Sequence, residues 1–375
     1  MSAVLRLAGR LALACVFLLP AVAHADPDPQ DDTASLVARF DRAVASGLPF
    51  SITLPATTAS KPAPGRTRRA VQEGIVVERR LPVDLRLPAA VVAVMYAGRL
   101  NGEKAVFTRG GDRLDISVPS RAGVDVVVFR SGWDKVEWHN YPAGVGYVDE
   151  PEIRFQGELS IPPDHIEDPL AYHPTFHVFL HDDLGSGGDP ADLHARLGAW
   201  WLEDLMTVLP GESQISLRYH SRIAWITDMD YEHVDVLDRF ARALKLVAPA
   251  LGLPYGRSYK HKFLLLTARP AIGRASGLAL QGQSEATASI QGRLSVMAHE
   301  FGHTLGATHA AAVTGRYPTY PWSLLNWYQC DSNMHPSAPS TFSCLAYSAD
   351  NERAIRSYLR HGPTSERPEL WLERR

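Results

Sequence analysis

The run His299-Glu300-Phe301-Gly302-His303-Thr304-Leu305-Gly306-Ala307-Thr308-His309 constrains this chain more than any other stretch. Residues four apart on a helix share a face, one turn above each other, so His299 and His303 can ligate one metal ion. Glu300 stands beside that pair, where it can take a proton from water at the metal. Gly306 lets the chain leave the helix at positive φ with little steric cost, which brings His309 back as a third ligand. Three imidazoles leave the fourth tetrahedral position to water, as in catalytic rather than structural zinc sites. One catalytic Zn2+ is therefore expected, on His299, His303 and His309, with Glu300 as general base. An amphipathic helix that happens to carry histidines is the plainer alternative. It does not account for the third histidine and the glycine at their fixed spacing.

The eleven residues resemble the zinc motif of the metzincin metalloproteases. That resemblance implies a methionine-containing turn beneath the metal, and Cys330-Asp331-Ser332-Asn333-Met334-His335-Pro336 fits it, with Met334 as the floor. Ala310 follows the third histidine, where reprolysins usually carry Asp. Pro336 stands two after Met334, where astacins and serralysins place tyrosine, so no tyrosine ligand is expected. The resemblance covers about Pro169 to Gly362 and includes the extra helix that reprolysins place before the third strand. It further implies that a peptide substrate pairs with an edge strand, here Gly277, Leu278, Ala279 and Leu280 with Gln281.

With 375 residues there is room for two domains, and a formal net charge of −3 without a basic stripe gives no reason to expect nucleic acid. Residues 1–25 read as a secretory signal: Arg6 and Arg10, an apolar run from Leu11 to Val22, then Ala23-His24-Ala25 before Asp26. A secreted or periplasmic protein, cleaved after Ala25, is expected. No later stretch has the roughly 18 apolar residues that would span a bilayer. Removing the signal leaves Cys330 and Cys344, which flank the proposed methionine turn and should be disulfide-linked in an oxidising compartment; two buried thiols are the alternative.

Residues 26–69 read as a short amphipathic helix, Thr33 to Ser46, and a Pro-rich linker over Pro55 to Pro64, followed by the basic Arg66-Thr67-Arg68-Arg69. Between residues 70 and 163 short β-branched runs alternate with turns: Gly74–Leu81, Ala89–Ala97, Lys104–Thr108, Leu114–Val118, Val124–Arg130, Val136–Trp138 and Ile153–Ile161. Asn101-Gly102 and Gly110-Gly111 mark hairpins. A separate β-sandwich-like domain is expected, either a removable pro-domain or a permanent accessory module. Residues 164–375 alternate strands and helices, and the expected class is α+β: a metzincin-like domain with a mixed sheet and active-site helix, preceded by the all-β domain.

Two further clusters are weaker. Asp182-Asp183-Leu184-Gly185-Ser186-Gly187-Gly188-Asp189 has the composition of a calcium loop but reads first as an acidic surface turn, so calcium is not predicted. His173, His177 and His181 are spaced by four around an apparent strand, which puts them on one sheet face rather than around an ion. The function expected is a secreted zinc endopeptidase acting on protein or peptide. The rival readings are a catalytically silent binding protein on the same scaffold, and an amidase or deacylase acting on a non-peptide or cell-wall amide.

Overall fold

The computed structural model describes residues 36–53, 74–132, 136–144, 172–273, 275–318, 327–336 and 342–363. The signal, the linker, the basic run, the Ile153–Ile161 strand and the boundary near Pro163 lie outside the described residues.

The chain opens with helix α1 (Leu36–Ser46) and strands β1 (Phe50–Thr53), β2 (Gly74–Arg80), β3 (Val83–Leu87), β4 (Val91–Leu100), β5 (Glu103–Gly110), β6 (Arg113–Ser120), β7 (Gly123–Arg130) and β8 (Glu137–Pro142). The Asn101-Gly102 turn forms as expected, with both residues at positive φ (55° and 84°), the hairpin geometry that matches strand twist. Then come β9 (Thr175–Leu180), α2 (Pro190–Leu193), a single π turn over His194–Gly198, α3 (Ala199–Val208), β10 (Ile215–Ser221), α4 (Val236–Val247) and β11 (His261–Thr267). The last part holds β12 (Gly277–Ala279), β13 (Glu285–Ser289), α5 (Val296–Thr304), β14 (Thr314–Pro318), β15 (Trp327–Asp331) and α6 (Ala349–His361).

Thirteen strands join in one sheet, whose main path runs β12-β13-β11-β9-β10-β3-β4-β5-β6-β7-β8. The separate β-sandwich expected over residues 70–163 is therefore not what these strands build. The joint is β3, which pairs in parallel with β10, Val83 opposite Ile215 and Leu85 opposite Leu217. Sequence reading passed over β3, although Val83, Leu85 and Leu87 alternate with polar residues as a strand should.

The physical reason for the fusion is that the N-terminal strands are apolar on both faces. On β7, Val124, Val126 and Val128 join the main core with Trp200, Trp201 and Leu205 of α3, while Val127 and Phe129 face α1. A sandwich strand would turn polar residues outward; a strand covered on both sides need not. Helices α2 and α3 pack in one core with strands from both halves of the sheet, and polar contacts add to that packing. Ser117 Oγ donates to Ala195 O at 2.7 Å. Buried Arg113 of β6 pairs with Asp115 (2.7 Å), with Asp189 (2.9 Å) and with Asp192. On the other side α1 drops Phe40 between Phe50 and Tyr96, with ring centroids at 5.5 and 5.6 Å. Helix α4 covers the opposite face of β9 and β11 through Val236, Phe240 and Leu244. No helix among the described residues is long and apolar enough to cross a membrane.

Candidate metal centre

Helix α5 is fixed before its histidines are considered. Met297, Ala298 and Phe301 are fully buried. Phe301 stacks on Trp201 of α3, with centroids 5.2 Å apart and 8° between planes, and meets the edge of Phe176 of β9 at 4.8 Å. Tyr347 Oη donates to Ala298 O at 2.5 Å and accepts from Trp201 Nε1 at 3.0 Å. Burial holds that phenol far above its ordinary range, so it stays a neutral donor. Rotation of α5 is thereby set, and with it the direction of His299 and His303.

The helix ends as the glycine requires. Gly306 has φ of 88°. Its N–H donates to His303 O at 2.9 Å and Ala307 N–H donates to Gly302 O at 2.9 Å, the bond pair of a Schellman ending. His309 then sits in a single 3-10 turn (His309–Ala311). The turn is held from α6: Asn351, fully buried, accepts from Thr308 N–H at 2.8 Å and donates to Thr308 O at 3.1 Å.

The three Nε2 atoms form a triangle, with His299–His303 at 3.1 Å, His299–His309 at 3.0 Å and His303–His309 at 3.0 Å. His299 Nδ1 lies 2.7 Å from Asn333 O and His303 Nδ1 3.2 Å from Ala307 O. A carbonyl can only accept, so each Nδ1 carries the proton and each Nε2 turns a lone pair toward the other. Lone pairs converging at this distance call for a cation between them. The triangle edges approach the roughly 3.3 Å between neighbouring ligands of a tetrahedral zinc with Zn–N of about 2.0–2.1 Å. The donor set thus fits zinc. Among the described residues this is the one group of three or more His, Cys, Asp or Glu that could hold a metal ion.

Glu300 is almost completely buried and lies against β12, the outer strand of the sheet. A methyl group on Gly277 would come within 2.3 Å of Glu300 Oε1, so this carboxylate occupies the room a side chain at 277 would take. Gly277, Leu278 and Ala279 pair antiparallel with Ala288, Thr287 and Ala286 of β13. The strand is shorter than expected: Leu280 falls in the following turn, where its carbonyl accepts from Gln283 N–H at 3.0 Å. Met334 is fully buried under Gly302, and Cys330 and Cys344 form a disulfide on either side of it.

Sequence reading missed Trp201, Tyr347 and Asn351 as site-building residues, and also Lys262. The Lys262 ammonium is buried, and burial pushes it down to about 7. It donates to Gln283 O (3.0 Å) and Tyr358 Oη (2.8 Å), while Tyr358 donates to Gly282 O (2.7 Å) and Gly282 N–H donates to His303 O (2.9 Å). That relay ties α6 to the end of α5. None of these contacts has a fixed sequence offset, which is why no spacing pointed to them.

The weaker clusters do other work. His173 approaches Glu212 O (3.4 Å), and His181 uses both ring nitrogens, on Asp183 (2.7 Å) and Met229 O (2.9 Å). His177 instead meets His220 and His261, each at 3.1 Å, across neighbouring strands. The acidic loop separates too: Asp183 takes His181, Tyr231 and Ala268 N–H, while Asp189 caps α2 and binds Arg113.

The fold is metalloproteinase-like, a large mixed sheet with helices packed on both faces. Among solved structures, the crystal structure of metalloproteinase-II from Bacteroides fragilis shares it, with a TM-score of 0.55 at 13% sequence identity, over 86% of this chain and 95% of that one. At this identity the likeness bears on the fold alone. No family model and no curated protein sequence matches the chain.

Proposed function

We propose that this protein is a secreted zinc-dependent endopeptidase. One observation carries the reading: three Nε2 atoms converge within 3.1 Å, two of them with their Nδ1 against a carbonyl, next to a buried glutamate. Zinc held by His299, His303 and His309 would polarise a substrate carbonyl and bring the pKa of water down to about 7.

Glu300 takes the proton of the attacking water and returns it to the leaving amine. Asn333 O and Ala307 O keep His299 and His303 in the tautomer that leaves Nε2 free. Met334 floors the site without acting as a ligand. The outer backbone edge of β12 faces no other described strand and offers a peptide main-chain pairing, which gives affinity with little demand on sequence. The disulfide around the methionine turn fits an oxidising compartment.

The test is mapping of cleavages in a mixed peptide library by mass spectrometry, wild type against Glu300→Ala. The variant should keep its metal and fold while hydrolysis falls about 100- to 10,000-fold. Near-normal cleavage by it overturns the mechanism. Hydrolysis of small or cell-wall amides with intact peptides favours an amidase instead.

A further inference from the structure

Strand β9 has β10 on one side and β11 on the other, all three parallel. The chain leaves β9 through α2 and α3, which pack in the main core, and leaves β10 through α4, which packs on the opposite face. Open α/β sheets take ligands at the carboxyl ends of their parallel strands. A cavity of about 930 Å³ lies there, lined among others by His181, Asp182, Ser221, Arg222, Pro88 and Leu184. None of its lining residues belongs to the metal centre.

The backbone at this end is held in costly conformations. Among the described residues six non-glycine residues have positive φ, and four of them cluster here: Ala89 (60°), Ala90 (59°), Arg222 (57°) and Trp225 (71°). Left-handed backbone is disfavoured for residues with a Cβ, most of all for bulky ones, and such strain gathers at ligand sites. Ala89 and Arg222 both line the cavity.

Its chemistry is specific. His181 has both ring nitrogens engaged and serves as wall. The side chains of Arg222 and Asp182 are exposed, and neither makes a hydrogen bond or ion pair with another described residue. A guanidinium and a carboxylate with no partner among the described residues thus border a crevice with apolar walls from Leu180, Leu184, Pro88 and Pro190. A simple anion would meet Asp182 and a simple cation would meet Arg222. We infer that this crevice is a second binding site, for a small zwitterion with an apolar body: a free amino acid or dipeptide, its carboxylate on Arg222 and its ammonium on Asp182.

The test is calorimetric titration of the full chain carrying Glu300→Ala, which prevents turnover, with free leucine, leucyl-leucine and N-acetyl-leucinamide. Each titration is repeated after chelator treatment, because amino acids also ligate zinc. Saturable binding of leucine or the dipeptide that survives the chelator, with none of the uncharged amide, is expected. Arg222→Gln and Asp182→Asn should each weaken it about tenfold or more, and His309→Ala should leave it unchanged. Both crevice substitutions fall on exposed side chains, so unchanged melting temperatures should confirm their fold. No saturable binding up to about 50 mM overturns the site. So does binding that His309→Ala abolishes and Arg222→Gln leaves intact. Since binding is read without turnover and without metal, its failure is separate from failure of the peptidase reading.

Discussion

The α-carbon of Gly302 rests on the sulfur of Met334, so closely that a methyl group at 302 would lie 2.4 Å from Sδ and 3.0 Å from a ring carbon of Tyr347. Gly302 thus sets how near the methionine turn can come to α5, and the same turn supplies Asn333 O to His299. Gly302→Ala should push the turn away, at a cost of about 1–3 kcal/mol in stability. It should also weaken zinc retention against a chelator. Unchanged melting and zinc retention would show that the turn is not packed this tightly.

Gly277 stands to Glu300 as Gly302 stands to Met334. A side chain at 277 must displace the glutamate carboxylate, so Gly277→Ala should lower peptide hydrolysis at least about tenfold while zinc content stays at the wild-type level. The alkaline or acid limb of the pH–rate profile should also move, because the carboxylate changes surroundings. Loss of zinc in this variant would place the effect on the ligands rather than the base.

Asn351 reads the backbone of Thr308 from both sides and so holds the turn that carries His309. Asn351→Leu removes both bonds to the half-buried Thr308 backbone, a loss of about 0.5–1.5 kcal/mol each. Zinc affinity should fall while two-histidine binding by His299 and His303 survives. Elemental analysis after mild chelation, compared with His309→Ala, measures this directly.

The Arg113 cluster tests the fused sheet. Arg113→Met leaves Asp115 buried without its partner, which should cost about 3–5 kcal/mol by chemical denaturation. The unfolding transition should remain single, because β3 and β10 share one sheet and one core. A chain begun near residue 164 loses β3 and bares Trp200 and Trp201, so it should aggregate rather than fold. Two separate transitions, or a stable shortened chain, would restore an independent N-terminal domain.

Acid should destabilise the fold through buried histidines away from the metal centre. Burial, with neighbouring imidazoles adding to it, pushes His177 down to about 2; burial alone holds His194 at about 3, and burial with Arg218 holds His220 at about 4. In the unfolded chain these groups titrate near 6.5, so below that pH the unfolded state binds more protons. Stability is therefore fully present above about pH 6.5 and is lost as pH falls, by on the order of 2 kcal/mol per histidine at pH 5. Melting temperatures at pH 7.5 and 5 check the slope, and His220→Gln should reduce it.

The spacing of the three histidines and most strands and helices were legible in the chain because each depends on short-range periodicity; the disulfide pair was legible from the cysteine count instead. A helix repeats every 3.6 residues, a strand every two, and an ending at Gly306 needs only a residue without a Cβ. The last helix, capped by Ser348 and stopped at Gly362, shows the same locality. What the local pattern does not contain is which strand lies beside which. The runs over 74–142 read as strands, but whether they closed on themselves or joined β10 depended on β3 and on apolar residues facing both ways. Nor does spacing reveal Trp201, Tyr347, Asn351 or Lys262 around the site. The sequence by itself determined which side chains could bind a metal and in what order. The tertiary structure decided that Asn333 O, Asn351 and Gly277 hold them in place, because those contacts arise between segments far apart in the chain and exist only once the core has packed.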